Sequence, residues 1–122
     1  MNRDAIFLRH ILDPIEKVER STRRVGREKF GSDVDLQDAT LRRIEIIGEA
    51  VKNISEKTKK NHPEVEWKKI AGTRDMLIHA YFSIDPEVVY GILEKDIPKL
   101  KGQMLSIIAE VESENVQGGD PR

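Results

Sequence analysis

Residues 33–55 read DVDLQDATLRRIEIIGEAVKNIS, and this stretch decides the fold class. Leu36, Thr40, Ile44, Ile47, Val51 and Ile54 recur every three or four residues, the spacing that lines one face of an α-helix. Ser32 or Asp33 can cap its first turn, because a short oxygen-bearing side chain accepts a bond from an otherwise unpaired amide. Gly48 sits mid-helix, where glycine costs about 1 kcal/mol against alanine. Its presence points to close approach by another backbone.

Outward from this helix the same signals repeat. A first helix is expected from Asp4 to Val25, with Ile6, Ile11, Ile15 and Val18 in its apolar stripe. Pro14 either kinks it or, with Asp13 as the cap, begins it. Residues 26–31 and 57–63 read as loops. A third helix covers Trp67 to Phe82. Asp85-Pro86-Glu87 marks a helix start: cap, proline at the first position, acid in the first turn. That fourth helix runs to Glu94, and Asp96-Ile97-Pro98 restarts the chain into a fifth that ends at Glu112. Strand signals are absent: no alternating β-branched run and no Asn-Gly or Asp-Gly turn. The fold class is all-α, a four- to five-helix up-down bundle over residues 1–112. The tail, 113–122, has no periodicity and is expected to be disordered.

The third helix is apolar almost all round, through Ile70, Met76, Leu77, Ile78, Ala80, Tyr81 and Phe82. Such a helix expects cover from more than one side. In a chain of 122 residues a partner subunit is a natural second cover.

Composition removes several function classes. There is no cysteine, so disulfides, thiolate metal sites and cysteine nucleophiles are excluded. No apolar run approaches the ~20 residues of a membrane span, and the N-terminus lacks a signal-peptide pattern. A cytoplasmic, soluble protein is expected. The net charge of −1 conceals a gradient from +3 over residues 1–30, through 0, to −4 over residues 85–122. This is not the basic footprint of a dedicated nucleic-acid binder. Arg20, Arg23, Arg24 and Arg27 form the one local basic run, readable as a nucleic-acid contact or as a solvated helix end.

Arg74, Asp75 and His79 interrupt the apolar third helix, and buried charge needs a partner. Asp75 and His79 are one turn apart and can pair. Arg74 and Tyr81 share a face. Arg74 and His79 are offset by about 140° on an ideal helix, so a straight helix does not converge them. Histidine exchanges protons near neutral pH, and arginine presents a planar fork for phosphate. Together they suit phosphodiester cleavage, with a base acting on a ribose 2′-OH and a cation steadying the phosphorane. The same residues also admit a structural reading, an Asp75–His79 pair with Arg74 bridging subunits. His10 reads as core or interface and His62 as an exposed loop residue. Glu45 and Glu49 form an i,i+4 carboxylate pair of structural kind. The three histidines lack metal-ligand spacing, and no phosphate-binding glycine loop is present.

The pattern Arg74-x-x-x-x-His79-x-Tyr81 resembles the motif of HepT-like proteins of the HEPN superfamily. Leu41 to Ala50 is similar to that family's arginine-led, Gly-Glu-Ala helix. Pro63, Trp67 and Ile70 to Arg74 resemble its lead-in, and Asp96 to Leu100 its acidic-apolar-Pro-x-Leu signature. The likeness covers about residues 3 to 108. It implies a homodimeric HEPN-like bundle and a metal-independent endoribonuclease with no cofactor. Arg74 and His79 are then the catalytic pair, facing a second copy of the motif. It further implies a toxin neutralised by a minimal nucleotidyltransferase antitoxin (MntA-like) that adds AMP to Tyr81. Asp75 falls where the family usually has Asn. As a supporting residue it either weakens RNA binding or keeps His79 protonated. The competing expectation is a non-catalytic helical dimer that binds a nucleotidyltransferase or nucleotide.

Overall fold

The structure, a computed structural model, describes residues 3–79 and 84–118, with side chains through residue 113. Among the described residues every regular element is helical and none is a strand. The elements are α1 (Arg3–Thr22), α2 (Arg27–Ser32), α3 (Val34–Lys52), α4 (Glu56–Asn61), α5 (Trp67–His79), α6 (Pro86–Gly91), a π-helical turn (Ile92–Asp96) and α7 (Ile97–Gly118). None is long and apolar enough to cross a membrane.

The long helices make the bundle, and α1 and α3 are its centre. α1 packs on α3 and α7, and α3 packs on α1 and α5. Cross-links fix the directions. Arg9 meets Glu112 and Lys101 meets Glu19, so α1 and α7 are antiparallel. Asp4 holds Ser55 and Ser21 meets Arg43, so α1 and α3 are antiparallel as well. The up-down arrangement follows.

The core forms two clusters. The larger joins Leu8, Ile11 and Ile15 of α1 to Ile47 and Val51 of α3 and to Met104 and Ile107 of α7. The smaller gathers Phe30, Leu41, Ile44, Leu77 and Val89 at the other end. Phe30 explains why residues 26–31, expected as a loop, contain a helical turn. Its ring is fully buried, and the turn that carries it is tied down from Gly26.

Four other expectations change. α1 runs unbroken through Pro14, which is buried, so the helix does not begin there. Residues 57–63 are not a plain loop. Ser55 caps α4 by accepting the Thr58 amide at 3.2 Å. The restart at Pro98 is a widened turn rather than a break. Proline offers no amide to the Glu94 carbonyl and crowds it, and a π-helical turn accommodates both faults. Pro98 then falls in the first turn of α7, where no amide is needed. α7 continues to Gly118, so residues 113–118 are helical where a disordered tail is expected; the rest of the tail lies outside the described residues.

The caps match their signals. Asp33 accepts the Leu36 amide at 3.0 Å and Asp85 accepts the Glu87 amide at 2.9 Å.

Candidate active site at the α3–α5 seam

Gly48 seats the site. A Cβ added there would lie 2.2 Å from Arg74 Cβ and 3.3 Å from the Ile70 carbonyl oxygen. The close approach expected from a mid-helix glycine is therefore real, and what approaches is the stem of Arg74. With that stem pressed on α3, the guanidinium is delivered to a fixed place. It meets Glu49 Oε1 at 3.1 Å and Asp75 Oδ1 at 3.0 Å. Asp75 Oδ1 also accepts from Lys52 Nζ at 2.8 Å. Glu49, Arg74, Asp75 and Lys52 thus form a continuous line of alternating charge across two helices. Hydrogen bonds from Lys52 first, then Arg74, hold the Asp75 carboxyl below its ordinary value.

The expected Asp75–His79 pair does not form. Asp75 turns instead to two cationic partners, Lys52 and Arg74. His79 is the last residue of α5 and is exposed. Among the described residues it has no hydrogen-bond or ion-pair partner, and nothing links it to Arg74. The structure therefore brings Arg74 and Asp75 together and leaves His79 apart, in keeping with their angular offset. Tyr81 lies outside the described residues.

α5 is not buried all round within one chain. Leu77 is 1% exposed, whereas Met76 and Ile78 are 47% and 40% exposed. Leu77 points into the smaller cluster, and its two neighbours necessarily point elsewhere.

The other candidates resolve as follows. His10 is exposed, edge-on to Phe7, and not in the core. It lines an open groove of about 780 Å³ between α1 and α3, together with Lys17, Arg42, Arg43 and Arg74. His62 is not an exposed loop residue. Its ring sits between Glu64 and Glu110 at 3.3 and 3.6 Å, and its side chain is 11% exposed. Its carbonyl accepts the Trp67 indole N–H. In the basic run, Arg27 is committed to structure, bonded to Glu87 and Glu94 and stacked over the Tyr90 ring. Arg20, Arg23 and Arg24 have no ion pair among the described residues. Of the Glu45–Glu49 pair, Glu49 is engaged by Arg74. Among the described residues, no three His, Asp or Glu side chains gather closely enough to hold a metal ion.

Lys52, and the contact of Glu49 with Arg74, escape a sequence reading centred on α5. The available signal was the one-turn spacing of Gly48 and Lys52, which sets both on the face of α3 that meets Arg74.

Residues 11–107 match the family model described as "Ribonuclease HepT-like". The chain is 45% identical, over 80% of its length and 88% of the relative's, to a Thermococcus cleftensis protein named "Probable ribonuclease HepT". It is 39% identical, over 84% of its length and 91% of the relative's, to a protein of Caldanaerobacter subterraneus subsp. tengcongensis named as a "Putative RNase". A Methanocaldococcus jannaschii protein named as a "Gamma-glutamylcyclotransferase and putative RNase" is 42% identical over 88% of this chain. This chain spans about half, 48%, of that longer relative. No solved structure matches it. A match of this extent, over a helical bundle with Arg74 and His79 on one helix, means that the chain belongs to the HepT-like ribonuclease family.

Proposed function

We propose that the protein is a metal-independent endoribonuclease, acting as the toxin of a toxin–antitoxin pair. The observation that carries this reading is the contrast along α5: Arg74 is fixed by packing on Gly48, while His79 is exposed at the helix end. A fixed cation and an open proton carrier are the two groups that cleavage by a 2′-OH needs. His79 removes the 2′-OH proton. The 2′ oxygen then bonds to phosphorus, the P–O5′ bond breaks, and the departing 5′ oxygen takes a proton from the second copy's His79. The phosphorane's added negative charge falls to Arg74.

Because Arg74 and His79 do not meet in one chain, the site is composite and forms where two copies join. Met76 and Ile78, exposed beside them, supply apolar surface for that seam. Neutralisation is by AMP addition to Tyr81 by a minimal nucleotidyltransferase, which would add a phosphate's negative charge seven residues from Arg74 in the sequence.

The test is cleavage of a defined RNA with EDTA present. Wild type should cleave it and His79→Ala should not. Cleavage that survives His79→Ala, or that requires added Mg²⁺, would sink the mechanism. A second reading has one observation in its favour: Arg74 is already engaged by Glu49 and Asp75. On that reading the protein is a non-catalytic dimer that binds a nucleotidyltransferase or nucleotide. RNA left intact by a folded dimer would select it.

A further inference from the structure

We infer that Lys52 and Arg74 together form a cradle for a backbone phosphate of the RNA, with the Asp75 carboxylate as the chain's own anion occupying it. The inference rests on the ribonuclease reading of the same site, and it adds a binding residue, Lys52, and a built-in competitor, Asp75.

The geometry carries it. One oxygen, Asp75 Oδ1, receives donors from two helices: Lys52 Nζ at 2.8 Å from α3 and Arg74 Nη1 at 3.0 Å from α5. Two cation heads that converge on one carboxylate oxygen can converge equally on one non-bridging phosphate oxygen, since both are compact oxyanions that accept charge-assisted bonds. The two cations suit different parts of that task. Arg74 offers a fork, and Lys52 offers a mobile point charge. Arg74 would not lose its aim when Asp75 withdraws, because its stem stays packed on Gly48.

Asp75 is also placed to withdraw. Its side chain is 50% exposed, so it can turn to water at little cost, and an exposed ion pair exchanges one partner for another readily. Lys52, 36% exposed, presents its ammonium at the surface rather than within the core. The alternation of charge thus has a directional use. Packing on Gly48 holds the Arg74 stem throughout, and Asp75 neutralises the cradle only until a phosphate arrives. This gives the near-neutral chain a local anion site without a basic surface.

The test measures binding of a 2′-O-methyl RNA, which has no nucleophile and stays intact, by fluorescence anisotropy through a salt titration. Asp75→Asn, which keeps shape and removes charge, should tighten binding about threefold or more. Lys52→Gln should weaken binding and lower the salt slope by about one, while Lys52→Arg restores it. The double variant should lose the gain that Asp75→Asn brings. Thermal melts establish that each variant is folded. Unchanged affinity and slope in both single variants would overturn the cradle; if wild type still cleaves RNA, the ribonuclease reading stands without it. If no form binds RNA, inorganic pyrophosphate followed by NMR decides: binding that Asp75→Asn strengthens and Lys52→Gln abolishes keeps the cradle and ends the RNA reading. The absence of pyrophosphate binding as well overturns both.

Discussion

Two seams of the bundle, α1–α7 and α3–α5, are built on opposite terms. Between α1 and α7 the contact is dry: Leu8, Ile11, Ile15, Met104 and Ile107 are at most 1% exposed. Charge there stays at the two ends, as Arg9–Glu112 and Lys101–Glu19. Between α3 and α5 the apolar packing, which includes Ile44 and Leu77, is bordered by the charged line of Glu49, Arg74, Asp75 and Lys52. The first seam gains stability from apolar area. The second gives up some of that area so that a cation can stand at a fixed point near solvent. A small bundle can support such a seam only because the other one is complete.

The largest effect should come from opening the dry seam. Ile11→Ala removes a fully buried side chain, and the expected loss is about 2–5 kcal/mol of unfolding free energy. Urea denaturation measures it. A loss below the lower end of that range would mean that α1 and α7 are less tightly joined than the burial indicates.

A smaller effect is expected where α1 is tied beyond α3. Burial alone would raise the Asp4 carboxyl, but hydrogen bonds from the Ser55 and Thr58 hydroxyls and the Ser55 amide outweigh it and hold the group below its ordinary value. Asp4→Ala should cost about 1–3 kcal/mol. The sign for pH follows from the lowered value. The stabilisation is fully present above the unfolded carboxyl's 3.8 and disappears as pH falls through the lower folded value. Melting temperatures of wild type and Asp4→Ala should therefore converge as acid is added below that range.

The smallest effect on stability should fall at the charged seam, and there it should matter most to function. Gly48→Ala gains about 1 kcal/mol of helix propensity. Against that stands an overpacking cost of about 1–3 kcal/mol, since the new methyl meets Arg74 Cβ and Cγ rather than a yielding side-chain tip. The net loss should be about 1 kcal/mol. RNA cleavage should nevertheless fall by an order of magnitude or more, because a displaced guanidinium loses its aim. Unaltered cleavage in a folded Gly48→Ala protein would remove Gly48 from any role at the site.

Much of the bundle was legible in the chain. Asp33 and Asp85 announced their helices because capping is local chemistry. The period of Leu36 to Ile54 showed which face of α3 would be buried, and the signature around Arg74 and His79 pointed to the family that the match over residues 11–107 bears out. The short helices α2 and α4 were missed. Six residues are too few to set up a period, and what holds α2 is the burial of Phe30 by residues far along the chain.

The sequence by itself therefore determined the helical class and the main helices, since both depend on periodicity and capping within a few turns. Only the tertiary structure decided which residues meet. It turned Asp75 from His79 to Lys52, used Gly48 as the seat for Arg74, and left His79 open. Those outcomes depend on which face of α3 lies against α5, and that is settled by packing the two apolar clusters, not by any local signal in either helix.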